Sequence, residues 1–251
     1  MNQEWDSKTY TTDFSYVHQY GGDVMNLIDF AKARSVLDLG CGNGALTAKF
    51  AEKGLQVTGM DASETMLAVA RQAYPDIHFV QGDASDFSLP EPVDVIFSNA
   101  VFHWIDKTKQ PAMMKCVYRA LNPGGQLVLE MGGCGDNQSI HGALRDAFAK
   151  RGYTYIRPQY FPTVGEYAPL LEQAGFKVVY AVLFDRPTEL KGENGLENWI
   201  RMFVLSAFDV MSESERDAII DEVVASLREK LYRDGKWMAD YVRLRMKAVK
   251  A

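Results

Sequence analysis

At 251 residues, 47% of them hydrophobic and 24% charged, the chain carries enough apolar material for one α/β domain with elaborations, without disulfide or metal staples. A formal net charge of −6 and a pI near 5.3, with no basic stripe of interleaved aromatics, argue against a nucleic-acid backbone as partner. Three widely spaced cysteines without a Cys-x-x-Cys pair, four histidines without metal-ligand spacing, and no signal peptide or membrane-length apolar run point to a soluble cytoplasmic protein with reduced thiols and no metal.

In chain order, residues 1–20 are rich in aromatic and polar groups, among them Trp5, Tyr10, His18 and Tyr20, and read either as a surface arm or as a flap over a ligand. Gly21-Gly22 breaks the chain, and Val24, Leu27, Ile28 and Ala31 then have the spacing of an amphipathic helix. Val36-Leu37-Asp38-Leu39 is a short apolar strand that runs into glycines at Gly40, Gly42 and Gly44. Glycine lets the main chain adopt positive φ and approach a ligand, and the helix formers of residues 45–53 follow directly, so the turn opens onto a helix N-terminus. The glycines alone also fit the pyrophosphate fingerprint of dinucleotide folds. Asp38 discriminates, because a carboxylate two residues before the first glycine repels phosphate and suits an ammonium. Residues 55–60 read as a second strand delivering Asp61 to the position where an acid takes ribose hydroxyls. A nucleoside with an amino-acid tail satisfies both acids.

Ser63 caps the next helix, with Met66 and Leu67 on its buried face, and residues 77–80 form a third strand leading to Gly82-Asp83-Ala84, where Asp83 can accept from an exocyclic amine. Residues 93–98 are the central strand, and Asn99-Ala100-Val101-Phe102-His103-Trp104 follow at its carboxyl end, the edge where open α/β sheets bind ligands. A helix opened by Pro111 ends at Asn122-Pro-Gly-Gly125, and a fifth strand spans 126–131.

Asp38-Leu-Gly-Cys-Gly-Asn-Gly44, Asp61-Ala-Ser63, Gly82-Asp-Ala84, Asn99-Ala-Val-Phe-His-Trp104 and Leu121-Asn-Pro-Gly-Gly125 resemble, in order and spacing, the successive motifs of the S-adenosylmethionine-dependent methyltransferases with a Rossmann-like fold. The resemblance covers residues 30–131, and its nearest subgroup is the small-molecule enzymes related to trans-aconitate methyltransferase. It implies S-adenosylmethionine as cofactor, S-adenosylhomocysteine as product and a small-molecule acceptor. Carried over residue by residue, it places Tyr10, Gln19, Asp38, Gly40, Cys41, Gly42, Asp61, Ala62, Met66, Gly82, Asp83, Ala84, Asn99, Ala100 and Val101 around that cofactor. His103 and Trp104 become a wall beside the sulfonium, and His18, His103 and the tyrosines of the later insertions are candidate bases or orienters. An NAD-dependent dehydrogenase and a non-catalytic adenosylmethionine-binding regulator are the rival classes.

The fold so implied is an α/β sheet of seven strands, six parallel and one antiparallel, with helices on both faces. Its core takes about 24–131, 163–190 and 236–251, and a helical cap takes 1–23, 132–162 and 191–235. Thr163-x-x-Glu166 and Ser212-x-x-Glu215 read as capping boxes, a sixth strand spans 176–183, and alternation marks a last strand over 241–248. Trp199, Phe203, Val204, Ala207, Ile219, Ile220, Val223, Val224 and Leu227 read as core. Arg243, Arg245 and Lys247 share one face of an inner strand, which requires a partly open face or cationic heads that reach water. Arg157, Arg186 and Arg201 are the cap arginines able to hold an anionic acceptor.

Overall fold

The computed structural model describes the backbone from Tyr16 to Ala251 and side chains from Gly21 onward. Tyr10 lies outside the described residues, as do the side chains of His18 and Gln19, which belong to the first helix, α1 (Tyr16–Met25). There follow β1 (Ser35–Leu39), α2 (Ala45–Glu52), β2 (Gln56–Asp61), α3 (Glu64–Ala73), β3 (His78–Gln81), β4 (Val93–Asn99), α4 (Gln110–Arg119) and β5 (Leu121–Gly132). The second half contributes α5 (Gln138–Ala149), α6 (Val164–Gln173), β6 (Phe176–Leu190), α7 (Gly195–Phe203), α8 (Glu213–Leu231), β7 (Tyr232–Arg233) and β8 (Lys236–Lys250).

The sheet order is β3-β2-β1-β4-β5-β8-β6, and β8 runs antiparallel to both neighbours while the other pairs on this path are parallel. The eighth strand, β7, is only a two-residue hairpin arm on β8. Strand order reverses between β1 and β4, so the carboxyl ends of these strands border the crevice where such sheets receive ligands. Period-two alternation sends successive residues to opposite faces. Leu37, Leu39 and Ile96 pack with Met113, Met114 and Val117 of α4. Val36, Val95 and Phe97 pack with Val24 of α1 and Phe50 of α2.

Local signals explain the helix starts. Ser63 accepts from Met66 N, and both capping boxes form as expected, at Thr163 with Glu166 and at Ser212 with Glu215. Pro169 sits inside α6, which nevertheless runs to Gln173. A third apolar cluster joins α5, α7 and α8 to the far ends of β6 and β8; of the residues from Trp199 to Leu227 expected as core, Ala207 and Val224 are partly buried against it and the rest are buried in it.

Three expectations need correction. Gly21-Gly22 does not break the chain: α1 runs through both glycines and ends at Met25, and of the segment expected to be helical up to Ala33 only a 3-10 turn at Phe30–Lys32 forms. The sixth strand does not stop at Leu183 but continues to Leu190, and β8 pairs with it from Trp237 to Lys250. Asp185, Arg186 and Pro187 are tolerated because β6 is an edge strand, where a missing N–H costs no ladder bond if it faces outward. The cations of β8 neither reach open water nor lie on an uncovered face: they are paired inside. Arg245 and Arg186 both bond Glu130, at 2.6 and 2.5 Å, Arg243 approaches Asp136 at 3.4 Å, and Lys247 Nζ donates to Leu27 O. Glu130 is 4% exposed, so two guanidinium forks offset a desolvation cost that one carboxylate alone would not sustain.

Candidate active site

The glycine turn is built by backbone contacts. Gly40 N and Cys41 N both donate to Met60 O, which locks the end of β1 onto β2. Gly40 has φ +81°, and a Cβ there would stand 2.2 Å from Val101 Cγ2, so the chain after β4 lies directly against the turn. Gly44, at φ +80°, is the residue from which α2 starts. Cys41 is buried, and burial pushes its thiol pKa up, in keeping with a small filler.

Three strand-end acids border this cradle. Asp38 is 2% exposed and accepts a 2.6 Å bond from Thr47 Oγ1 on α2. Burial raises its pKa to about 7, with the charge of Asp61 adding to the effect against the Thr47 bond. A carboxylate so placed gains most from a bound cation. Asp61 accepts from Gly42 N through one oxygen at 2.8 Å and from Ser63 N through the other at 2.9 Å, so it braces the turn as well as facing it. Burial raises its pKa despite those two bonds, and each oxygen keeps a lone pair for a hydroxyl donor. Asp83 is better solvated: Ser85 donates to one oxygen from both side chain and backbone and holds its pKa low.

The remaining expected residues gather here too. A Cβ on Gly42 would stand 3.3 Å from Met66 Cε, and one on Gly82 would stand 2.7 Å from Met60 Sδ, so each of these glycines lies directly against a buried methionine. Ala62 O accepts from Gln81, and Ala84 packs on the core beneath. Asn99 Nδ2 is 3.1 Å from where a Cβ on Gly21 would lie, so α1 comes close to the end of β4. Ala100 takes φ +61°, uncommon for a residue with a Cβ, and its N–H donates to Glu130 O. This strained turn delivers Val101 to the glycines and His103 to the other side.

Beyond Val101 the surroundings become aromatic. His103 is buried, its Nδ1 accepts from Gly132 N at 3.1 Å, and burial, with Arg243 nearby, depresses its pKa well below the usual value. The ring is therefore neutral with its proton on Nε2. From His103 the rings close a circuit: Trp104 at 5.3 Å, then Phe203 at 6.1 Å, Trp199 at 5.4 Å, His141 at 5.9 Å, Phe161 at 5.8 Å and back to His103 at 5.7 Å. Tyr160 N donates to His103 O and ties the segment after α5 to this loop. Sequence reading singled out His103 and Trp104, did not single out His141, and took Trp199 and Phe203 as core, where they are buried. No local motif marks these positions; their one signal is an unusual density of aromatic and histidine residues in the segments between strands.

The cap arginines divide clearly. Arg186 is committed to Glu130, and Arg201 to Glu197 and Asp217. Arg157 is exposed, lies 4.6 Å over the Phe161 ring, donates to Gln159 O and has no carboxylate partner among the described residues. The 680 Å³ groove between α5 and α8 shares no residue with either compartment, and Lys150 and Glu222 within it already pair at 2.7 Å. No helix among the described residues is long and apolar enough to cross a membrane.

A family profile described as methyltransferase domain matches residues 36–125, the span from β1 to the turn within β5. An uncharacterized methyltransferase of Schizosaccharomyces pombe, C70.08c, is 32% identical over 258 aligned residues covering 98% of each chain. Trans-aconitate 2-methyltransferase of Azoarcus sp. is 29% identical and covers 98% of this chain and 99% of its own. In fold, the chain matches the crystal structure of a proposed methyltransferase of Bacillus halodurans with a TM-score of 0.66 at 20% identity, covering 92% of this chain and 99% of that one. The whole-length similarity extends through both compartments, and the chain belongs to the S-adenosylmethionine-dependent methyltransferases.

Proposed function

We propose that the chain transfers the methyl group of S-adenosylmethionine to a small organic acid, at a carboxylate oxygen, with a hydroxyl as the alternative acceptor atom. The residues around the glycine turn fit the cofactor: Asp38 offers a buried charge for an ammonium, Asp61 free lone pairs for ribose hydroxyls, and Asp83 an acceptor for an adenine amine. Gly40, Gly42, Met66 and Ala62, with Asn99, Ala100 and Val101 opposite, would enclose it. When bound, the cofactor supplies an electrophilic methyl group; the protein's task is alignment, exclusion of water and an acceptor in its reactive protonation state. A carboxylic acid is already ionised at neutral pH, so no base is required. This suits a site in which His103 has its Nδ1 lone pair occupied by Gly132 N–H.

The observation that carries the acid reading is Arg157, an exposed cation stacked on a ring of the aromatic circuit that makes no salt bridge among the described residues, its charge reaching Asp136 only at longer range. It narrows the three expected arginines to one. That the Azoarcus relative is named for trans-aconitate supports the same class. The test is incubation with S-adenosylmethionine and matched panels of carboxylic acids, phenols and amines, followed by mild base, which releases methanol from methyl esters alone. Base-labile methyl on an acid is expected. With that acid, Arg157→Ala should raise KM about tenfold, on the scale of a hydrogen bond to a charged group. Methylation confined to amines, or an unchanged KM, would refute the reading.

A further inference from the structure

The methyl-transfer reading leaves one buried polar group of the aromatic circuit without a task. His141 lies on the inner face of α5 and is 6% exposed, yet its Nε2 has no hydrogen-bond partner among the described residues. Its other nitrogen, Nδ1, is 2.7 Å from Tyr155 Oη. Two proton arrangements are open to this pair. If Nδ1–H donated to the tyrosine, the hydroxyl hydrogen would lack an acceptor among the described residues and the Nε2 lone pair would also be unmet. If Tyr155 donates to Nδ1, a single group remains unmet, the Nε2–H. The second arrangement leaves fewer buried polar groups unsatisfied. The electrostatics agree: burial, with Arg157 and Arg145 nearby, lowers the His141 pKa to about 3, and burial raises that of Tyr155, so both stay neutral at physiological pH.

A neutral N–H donor buried between the Phe161 and Trp199 rings, in the positive field of Arg157, suits an anionic or carbonyl oxygen. A second unmet atom, of opposite polarity, belongs to a residue bonded to the Phe203 backbone. Gln159 ties its amide nitrogen to Phe203 O, while its Oε1 is buried without a partner among the described residues. Buried polar atoms of both kinds beside these rings call for a polar partner, because an apolar one would leave both unsatisfied.

We propose that His141 is an acceptor-binding residue whose Nε2–H holds a carboxylate or carbonyl oxygen of the methyl acceptor, and that Tyr155 is a positioning residue that fixes the tautomer. This rests on the organic-acid reading above. It adds a determinant of acceptor specificity on a helix that no motif touches.

The experiment measures acid kinetics, adenosylmethionine affinity by calorimetry and thermal unfolding for wild type, His141→Phe, His141→Gln and Tyr155→Phe. His141→Phe keeps a flat ring but removes the donor, and should raise the acid's KM about tenfold or more while cofactor Kd stays within about twofold. His141→Gln restores an N–H near the same place and should recover most of the loss. Tyr155→Phe should give an intermediate KM, because the tautomer is no longer fixed. If His141→Phe leaves KM unchanged, if cofactor affinity falls in step, or if His141→Gln is no better than His141→Phe, the role is wrong although the acid reading stands. If wild type makes no base-labile methyl on any acid but methylates amines, the acid reading fails, and the anion-holding role falls with it.

Discussion

The two halves of the site are made by different means. Around the glycine turn, recognition rests on main chain and strand ends. The N–H groups of Gly40 and Cys41 bond Met60 O and that of Gly42 bonds Asp61, which fixes the turn, and the acids sit at the ends of β1, β2 and β3 within short sequence windows. Around the aromatic circuit, six side chains come from three segments that are distant in sequence, at 103–104, 141–161 and 199–203. The first half depends on conformations that few residues allow; the second depends on packing, which many side chains provide. A shared cofactor can thus be kept while acceptors change, if the strand ends are preserved and the helices around them are repacked.

The hardest blow to the first half is Gly40→Ala. Positive φ costs a residue with a Cβ about 1–2 kcal/mol, and overlap with the Val101 methyls adds a similar amount. We expect about 3 kcal/mol lost in stability and cofactor affinity reduced about a hundredfold, read by denaturant unfolding and calorimetry. Gly152→Ala is the control: φ is +77° but nothing lies within 4 Å of the added methyl, so only the conformational cost remains. Equal losses in both variants would mean that contact with Val101 contributes nothing.

Asp61→Ala comes next. It removes a hydroxyl acceptor and the brace on Gly42 N, and should cost about 1.5–3 kcal/mol of cofactor binding. Acceptor KM at saturating cofactor should stay near wild type. A variant whose calorimetric Kd matched the parent would remove Asp61 from the ribose assignment.

How much of this was legible in the sequence follows the same division. The glycine turn, Asp38, Asp61, Asp83, the seven main strands and both capping boxes could be read because each is a local device with a fixed spacing. The full length of β6 was not, since Asp185-Arg186-Pro187 looks like a loop until Glu130, 56 residues earlier, supplies the partner for Arg186. For the same reason the cations of β8 looked misplaced: their carboxylates lie on β5 and just after it. His141 was invisible because on a helix it obeys the same periodicity as Ile140 and Leu144, and only its unmet nitrogen sets it apart. Long-range polar pairing has no sequence period, and where it governs the site, pattern reading stops.

A smaller effect, confined to the cofactor half, is a pH dependence set by Asp38. With its carboxyl pKa near 7, the free protein holds a proton there that a bound ammonium would expel. Binding therefore releases a proton, and affinity falls as pH drops below 7, by at most tenfold per unit. Between pH 7 and pH 5.5 calorimetry should show Kd rising by about one order of magnitude. The stability linkage has a definite sign as well. The native state binds more protons than the unfolded chain between about pH 4 and 7, so ionising Asp38 destabilises the free protein as pH rises through that window. Cofactor-induced thermal stabilisation should therefore be larger at pH 7 than at pH 5.5. Asp38→Asn should flatten both trends; a Kd in wild type that is level across this range would show that the carboxylate is not the group facing the ammonium.

The smallest effect expected is the one that keeps the two halves apart from the rest of the molecule. Arg201 was as good a candidate for the acceptor as Arg157 on sequence grounds, since both stand beside aromatic residues in segments between strands. In the structure it bonds Glu197 one turn back at 2.9 Å and Asp217 on α8 at 3.0 Å, with 35% of its side chain exposed. Pairs of that kind contribute about 0–1 kcal/mol, because solvent screens them and two long side chains must be ordered to form them. Arg201→Ala should therefore lower stability by no more than about 1 kcal/mol and leave acceptor and cofactor kinetics within about twofold. Arg157→Ala, which breaks no ion pair among the described residues, should do the reverse, with little change in stability and a marked rise in acceptor KM. The two variants side by side separate an arginine that joins two helices from one held ready for a ligand. Should Arg201→Ala instead raise acceptor KM selectively, the acceptor would lie between α7 and α8, and the aromatic circuit would be part of the helical core.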